Sequence, residues 1–165
     1  MDNRRRMLMG AAGKKWATEP LEIYNVGTGY SPKTSLTNGT ISKTNKVTFG
    51  SVNYDNAVKA KGIVVSYTGK FSISGIDVTD YRKLVATYKC GTTDGNVTVQ
   101  TNTKFGWGYS ASSSSVSFVT YQTPGTYASS GTFEFDLTDV DGQIYIGGIN
   151  NDDGCFIAFT DIHLE

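Results

Sequence analysis

Histidine, cysteine and proline are scarce in this chain, at one, two and three residues of 165. With His163 as the only histidine, no Cys-His pair or zinc-type spacing can be assembled, and the sequence holds no Gly-x-Ser-x-Gly or phosphate loop. Cys90 and Cys155 fall at the ends of expected strands and could be neighbours. In a chain without a clear signal peptide, two such thiols are more often reduced and buried than joined. No stretch approaches the ~18 apolar residues of a membrane span, so membrane insertion is not expected. Formal net charge is zero, and nothing global points to nucleic acid. A carboxylate pair for glycoside hydrolysis would have to come from Glu134, Asp136, Asp139 and Asp141. Alternating carboxylates on a strand are usually its wet face, and His163 lies opposite Ile162 and Leu164 on the final strand. An enzyme is not expected, and neither is a cofactor.

What is abundant is glycine (19), tyrosine (10) and phenylalanine (8), with serine, threonine and valine. That composition favours an all-β protein with many tight turns. One domain of this length buries its own core.

The last 33 residues set the pattern. Phe133, Phe135 and Leu137 alternate with Glu134 and Asp136, the period of a half-buried strand. Ile144 and Ile146 share one face of a run over Gln143 to Ile149. Asn150-Asn151-Asp152-Asp153-Gly154 is a turn. Cys155, Ile157 and Phe159 then share a face that Ile162 and Leu164 continue only after a one-residue slip, which predicts a β-bulge at Thr160-Asp161. The same strand-corner-strand layout occurs earlier, from Phe71 through Asp77-Val78-Thr79-Asp80 to Leu84, and Asp136-Leu137-Thr138-Asp139 matches that corner in type.

Further strands are expected at Leu21–Val26, with Leu21 and Ile23 alternating with Glu22 and Tyr24, and at Thr40–Phe49, Gly62–Thr68, Leu84–Cys90, Asn96–Thr103 and Val116–Gln122. Asn38-Gly39 is a hairpin signal and Gly69-Lys70 a turn. About ten short strands with this turn spacing predict a two-sheet antiparallel β-sandwich, a jelly roll, over 21–165.

Three segments, Ile76-Asp-Val-Thr-Asp-Tyr-Arg-Lys-Leu84, Phe135-Asp-Leu-Thr138 and Ile157-Ala-Phe-Thr-Asp-Ile-His-Leu164, give the chain a family likeness. From Val58 to Glu165 it resembles the galactose-binding-like jelly rolls found in many carbohydrate-binding modules. The resemblance implies the fold and makes a glycan a candidate partner. It transfers no binding residue by position, since those modules bind through variable loops.

Residues 1–20 differ from the rest, with five basic and two acidic groups. Asp2 or Asn3 could cap a short helix over Arg4 to Ala12 that Gly13 stops. At about nine residues such a helix falls below the ~12–15 that persist alone in water. Its apolar run is short, interrupted by glycine and followed by Lys14-Lys15, which argues against a signal peptide. Asn3-Arg-Arg-Arg-Met-Leu-Met9 resembles the opening of tail-associated and fibre-like proteins in phages and prophages of gut Firmicutes. That likeness implies a virion protein made in the host cytoplasm, in which Arg4, Arg5, Arg6, Met7, Leu8 and Met9 dock on other virion proteins. It also implies a homo-oligomer, with a trimer favoured. A head decoration protein without a glycan and a free carbohydrate-binding module are the alternatives.

The candidate glycan or receptor surface is the stretch Phe105-Gly-Trp-Gly-Tyr-Ser-Ala-Ser-Ser-Ser-Ser115, read as a loop. Glycines flanking Trp107 would free the backbone to present its ring, with Phe105 and Tyr109 beside it and Tyr121 and Tyr127 as companions. The plainer reading makes Trp107 a half-buried sandwich aromatic and the serines a connector. Asp152 and Asp153 are candidates for a structural calcium, a frequent companion of the resembled modules, against the alternative of a solvated turn.

Overall fold

A computed structural model describes residues 14–27, 32–54, 58–92, 102–124 and 130–165. The expected N-terminal helix, the docking residues Arg4, Arg5, Arg6, Met7, Leu8 and Met9, Tyr127 and most of the expected strand at Asn96–Thr103 lie outside these.

The described residues form thirteen strands and no helix: β1 (Leu21–Asn25), β2 (Thr40–Lys43), β3 (Val47–Tyr54), β4 (Val58–Ser66), β5 (Gly69–Asp77), β6 (Lys83–Thr92), β7 (Thr103–Gly108), β8 (Ser110–Ser112), β9 (Ser115–Ser117), β10 (Thr120–Gln122), β11 (Ser130–Asp136), β12 (Gln143–Asn150) and β13 (Cys155–Leu164). A six-stranded sheet runs β11-β6-β13-β4-β3, with β1 alongside the second half of β13. A five-stranded sheet runs β10-β7-β12-β5-β2, and β8 and β9 make a separate hairpin. All pairs are antiparallel, so the chain is an all-β two-sheet sandwich.

The two matched corners carry the chain between sheets. Asp77 accepts hydrogen bonds from the Thr79 amide at 3.0 Å and hydroxyl at 2.6 Å, and Asp136 accepts the same pair from Thr138 at 2.8 and 2.5 Å. Each is a side-chain-closed turn of the kind Asp and Thr favour. Each corner buries its central apolar residue, Val78 or Leu137, completely. β5 and β12 are partners in one sheet and β6 and β11 in the other, so the two halves pack as a pseudo-symmetric pair.

The core lies between the sheets and is rich in phenylalanine. Phe105 stacks near Phe133 at 5.7 Å and meets Phe159 at 4.7 Å, while Phe133 stacks on Tyr88 at 4.3 Å. Offset and tilted ring pairs at these separations add to the burial itself. β13 runs through the centre of the six-stranded sheet. Its pairing with β6 skips from Phe159 to Asp161, so Thr160 is the extra residue, where the phase slip placed the bulge.

Several local expectations are corrected. Thr40–Phe49 is two strands in different sheets, because the chain turns at Asn45-Lys46, where the Val47 amide donates to the Thr44 carbonyl at 3.1 Å. Asn38-Gly39 joins no hairpin: β1 pairs with β13 and β2 with β5. Instead the Asn38 side-chain Nδ2 donates to the Glu22 carbonyl at 2.5 Å. In β1 the register shifts between Glu22 and Tyr24, so Ile23 and Tyr24 are both buried and the simple alternation fails. The β4–β5 turn falls at Tyr67-Thr68, with Thr68 at φ 62°, ahead of Gly69. Val116–Gln122 splits into β9 and β10.

The segment entering the sandwich is laid across both corners. Lys14 Nζ donates to Asp141 Oδ1 at 2.6 Å and to the carbonyls of Thr138 and Val140 at 3.4 Å. The Ala17 amide donates to the Asp80 carbonyl at 2.7 Å. The Trp16 ring has the Lys14 ammonium at 4.7 Å and the Arg82 guanidinium at 5.0 Å.

Candidate functional site

β7 alternates strictly. Thr103, Phe105 and Trp107 point into the sandwich, and Lys104, Gly106 and Gly108 form the opposite face. Phe105 is wholly buried and Trp107 is 4% exposed, its indole N–H buried without a hydrogen-bond partner among the described residues. These two residues are therefore core, and neither ring is presented to a ligand. The flanking glycines have another job. A side chain on Gly106 would run into the Thr120 carbonyl, and one on Gly108 into the Ser117 carbonyl. Glycine is required because the chain from Ser117 to Tyr121 lies directly on the strand.

The serine-rich tract is a structured element as well. The β8–β9 hairpin folds over the outer face of the five-stranded sheet, where Val116 is buried against Gly147 and Gly108. The Ser72 hydroxyl donates to the Ser113 carbonyl at 3.0 Å, and the hydroxyls of Ser42 and Ser114 meet at 3.3 Å. Sequence reading missed this because the floor under the hairpin comes from β5, β7 and β12, remote in the chain.

The aromatic residues around this hairpin do reach solvent. Tyr109 is 57%, Val119 56% and Tyr121 48% exposed. Ser110 pairs with Ser117, so Tyr109 and Phe118 flank the foot of the hairpin. Tyr109 sits edge-on to Trp107 at 5.4 Å, and Tyr121 lies 5.8 Å from Phe118. β10 pairs with β7 so that Tyr121 stands opposite Gly106 on the outer face, and the Lys104 ammonium lies 4.4 Å from the Tyr121 ring centroid. Of the sequence-stated site residues, the structure leaves Tyr109 and Tyr121 exposed and buries Phe105 and Trp107. Phe118 and Lys104 stand beside Tyr121. The signal for Lys104 was its alternation with Phe105 and Trp107.

The Asn150–Gly154 turn is less solvated than its composition suggests. Asp152 is buried, and its carboxylate accepts hydrogen bonds from the Asn102 amide at 3.1 Å, the Asn102 side chain at 3.1 Å and the Thr103 hydroxyl at 3.0 Å. Asn150, fully buried, donates to the carbonyls of Val65 and Cys155 at 3.0 Å each. These side chains clamp the start of β7 to β12, and the donors around Asp152 use the oxygens a cation would need. Asp153 is exposed and accepts from the Gly154 amide at 2.9 Å. Among the described residues no three His, Cys, Asp or Glu side chains gather where a metal could sit.

Cys90 and Cys155 are neighbours on β6 and β13, buried on the core face and not joined by a disulfide. Burial, reinforced by the second thiol, pushes Cys90 up to about 11. A thiol that keeps its proton this firmly is a poor nucleophile. His163 is on the outer face, hydrogen-bonded through Nδ1 to Asp161 and through Nε2 to Glu165 at 3.2 Å. Burial alone would lower its pKa. The hydrogen bonds and charges of the two carboxylates outweigh that and raise it. Glu134 and Asp136 are exposed on β11, as expected of a wet strand face.

No protein-family model matches the chain, and no curated protein matches it. Among solved structures, it is similar to that of the CBM51 module from Clostridium perfringens GH95 in complex with methyl-galactose. The two share 14% identity over 92% of this chain and 94% of that one, with a TM-score of 0.38.

Proposed function

We propose that this chain is a non-enzymatic component of a phage particle, made in the host cytoplasm and built into a tail, fibre or other appendage. Arg4 to Met9, in the N-terminal segment, attach it to other virion proteins, and the sandwich contacts a glycan on the host surface. The observation that carries the contact half is the exposed ring of Tyr121 with Phe118 and Lys104 beside it, together with the exposed Tyr109 at the foot of the same hairpin. A flat ring on a rigid sheet binds a sugar face with little entropy lost on contact. The particle half is supported by the arginine-rich leader and its likeness to phage appendage proteins. A trimer would present three copies of a weak site, and copy number would raise the net affinity. The reading needs no cofactor. Its test is host-cell binding by the wild type and by a Tyr109→Ala/Tyr121→Ala double variant. Loss of binding with the fold intact supports it, and undiminished binding removes the contact half.

A further inference from the structure

The carboxylates are unevenly distributed between the two sheets. The six-stranded sheet carries Glu22, Glu134, Asp136 and Asp161 on its strands. The five strands of the other sheet carry a single carboxylate, Asp77, at its corner end and already bonded to Thr79. Two lysines project from the outer face of that sheet. Lys104 of β7 and Lys70 of β5 both pair in register with Ile149 of β12, one from each side. The three form a cross-strand row, with the lysines two strand spacings apart, about 10 Å. Among the described residues neither lysine has a carboxylate partner. Lys104 rests on the ring of Tyr121. The β8–β9 hairpin covers the same face beside this row, over Ser72 and Gly147, and leaves the row itself half-exposed.

From this arrangement we infer that the outer face at Tyr121, Lys104, Ile149 and Lys70 binds a carboxylated polysaccharide, one built from uronic acid residues. The inference rests on the glycan-contact reading above and names the ligand class for that site. A cation beside an exposed aromatic suits a ring that carries its charge on itself. The sugar face stacks on Tyr121, and its carboxylate draws the Lys104 ammonium from the tyrosine into an ion pair. An exposed cation–π contact is weak enough to be exchanged in this way. Ile149 receives an apolar edge, and Lys70 meets the next carboxylate. A polyol phosphate chain would satisfy the lysines and offer nothing for Tyr121 to stack against, so charge and ring together select the uronate.

The test uses the full-length chain and three immobilised polymers: polygalacturonate, the same polymer with its carboxyls reduced to hydroxymethyl groups, and poly(glycerol phosphate). The expected result is binding to polygalacturonate that weakens steeply with salt, with little retention on the other two. Lys104→Gln and Lys70→Gln should each weaken it by about two- to fivefold, with an unchanged melting temperature. Equal binding to the charged and reduced polymers would overturn the uronate assignment and leave the saccharide reading standing. Binding to poly(glycerol phosphate) alone would overturn it in favour of a phosphate polymer. No binding to any of the three, together with no loss of host-cell binding in the Tyr109→Ala/Tyr121→Ala variant, would remove both readings.

Discussion

The amide of Val78 donates to the carbonyl of Gly142 at 3.0 Å, tying the first corner to the chain just past the second. A corresponding bond runs from the Leu137 amide to the Arg82 carbonyl at 2.7 Å, from the second corner to the chain just past the first. The corners thus support each other, and the strand pairs they launch are partners in both sheets. One asymmetry is that the Thr79 hydroxyl also accepts the Gly142 amide, at 3.0 Å.

That asymmetry separates two otherwise matched variants. Thr79→Val removes the bond to Asp77 and the acceptor for Gly142, and should destabilise by about 1.5–3 kcal/mol. Thr138→Val removes only the bond to Asp136, and should cost about 0.5–1.5 kcal/mol. Urea unfolding of the two proteins checks the order. Equal losses would mean that the cross-corner bond contributes nothing.

Two sets of groups give stability opposite pH limbs. Asp77 and Asp136 are held below the ordinary carboxylate value, first by the threonine hydroxyl and then by its amide. Their contribution is present above the unfolded value of about 3.9 and is lost as pH falls through the lowered folded value. His163 is raised, so its contribution is complete below about 6.5 and is lost as pH rises through the folded value. Melting temperature against pH should therefore fall off on both sides. Asp77→Asn with Asp136→Asn should flatten the acid limb, and His163→Gln the limb above neutrality.

Trp107 and Tyr121 should behave in opposite ways. Trp107→Ala opens a cavity in the core and should cost about 3–5 kcal/mol. Trp107→Phe also removes the unpartnered indole N–H, which offsets part of the lost packing, and should stay within about 1.5 kcal/mol of the wild type. Tyr121→Ala is a surface change and should move stability by no more than about 0.5 kcal/mol. Thermal melts of the three variants check this.

The segment Lys14–Ala17 should act as part of the sandwich. Removing residues 1–13 should leave the melting temperature unchanged. Extending the deletion through Ala17 removes the contacts to Asp80, Arg82, Thr138, Val140 and Asp141, and should destabilise by about 1–2 kcal/mol. Equal melting temperatures for the two truncations would contradict it.

The fold was legible where local chemistry decides it. The Asp-x-Thr-Asp corners announce themselves because the side chains that close the turn lie within three residues of one another. The bulge at Thr160 could be read because one strand must keep Phe159 and Ile162 on the same face. The site was less legible, since its form depends on partners distant in sequence. Gly-Trp-Gly reads as a loop until the chain from Ser117 to Tyr121 is seen lying on those glycines. Asn150-Asn-Asp-Asp reads as a wet turn until Asn102 and Thr103 arrive to bond Asp152. Strict alternation over Thr103–Gly108 was the available sign that Trp107 points inward.

The most direct measurement of the proposed contact is host-cell or host-glycan binding by wild type and Tyr121→Ala at matched melting temperature. The expected result is binding weaker by about tenfold for the variant, the size of a central aromatic contact. Binding at wild-type strength would show that the exposed ring of Tyr121 is not where this protein meets its glycan.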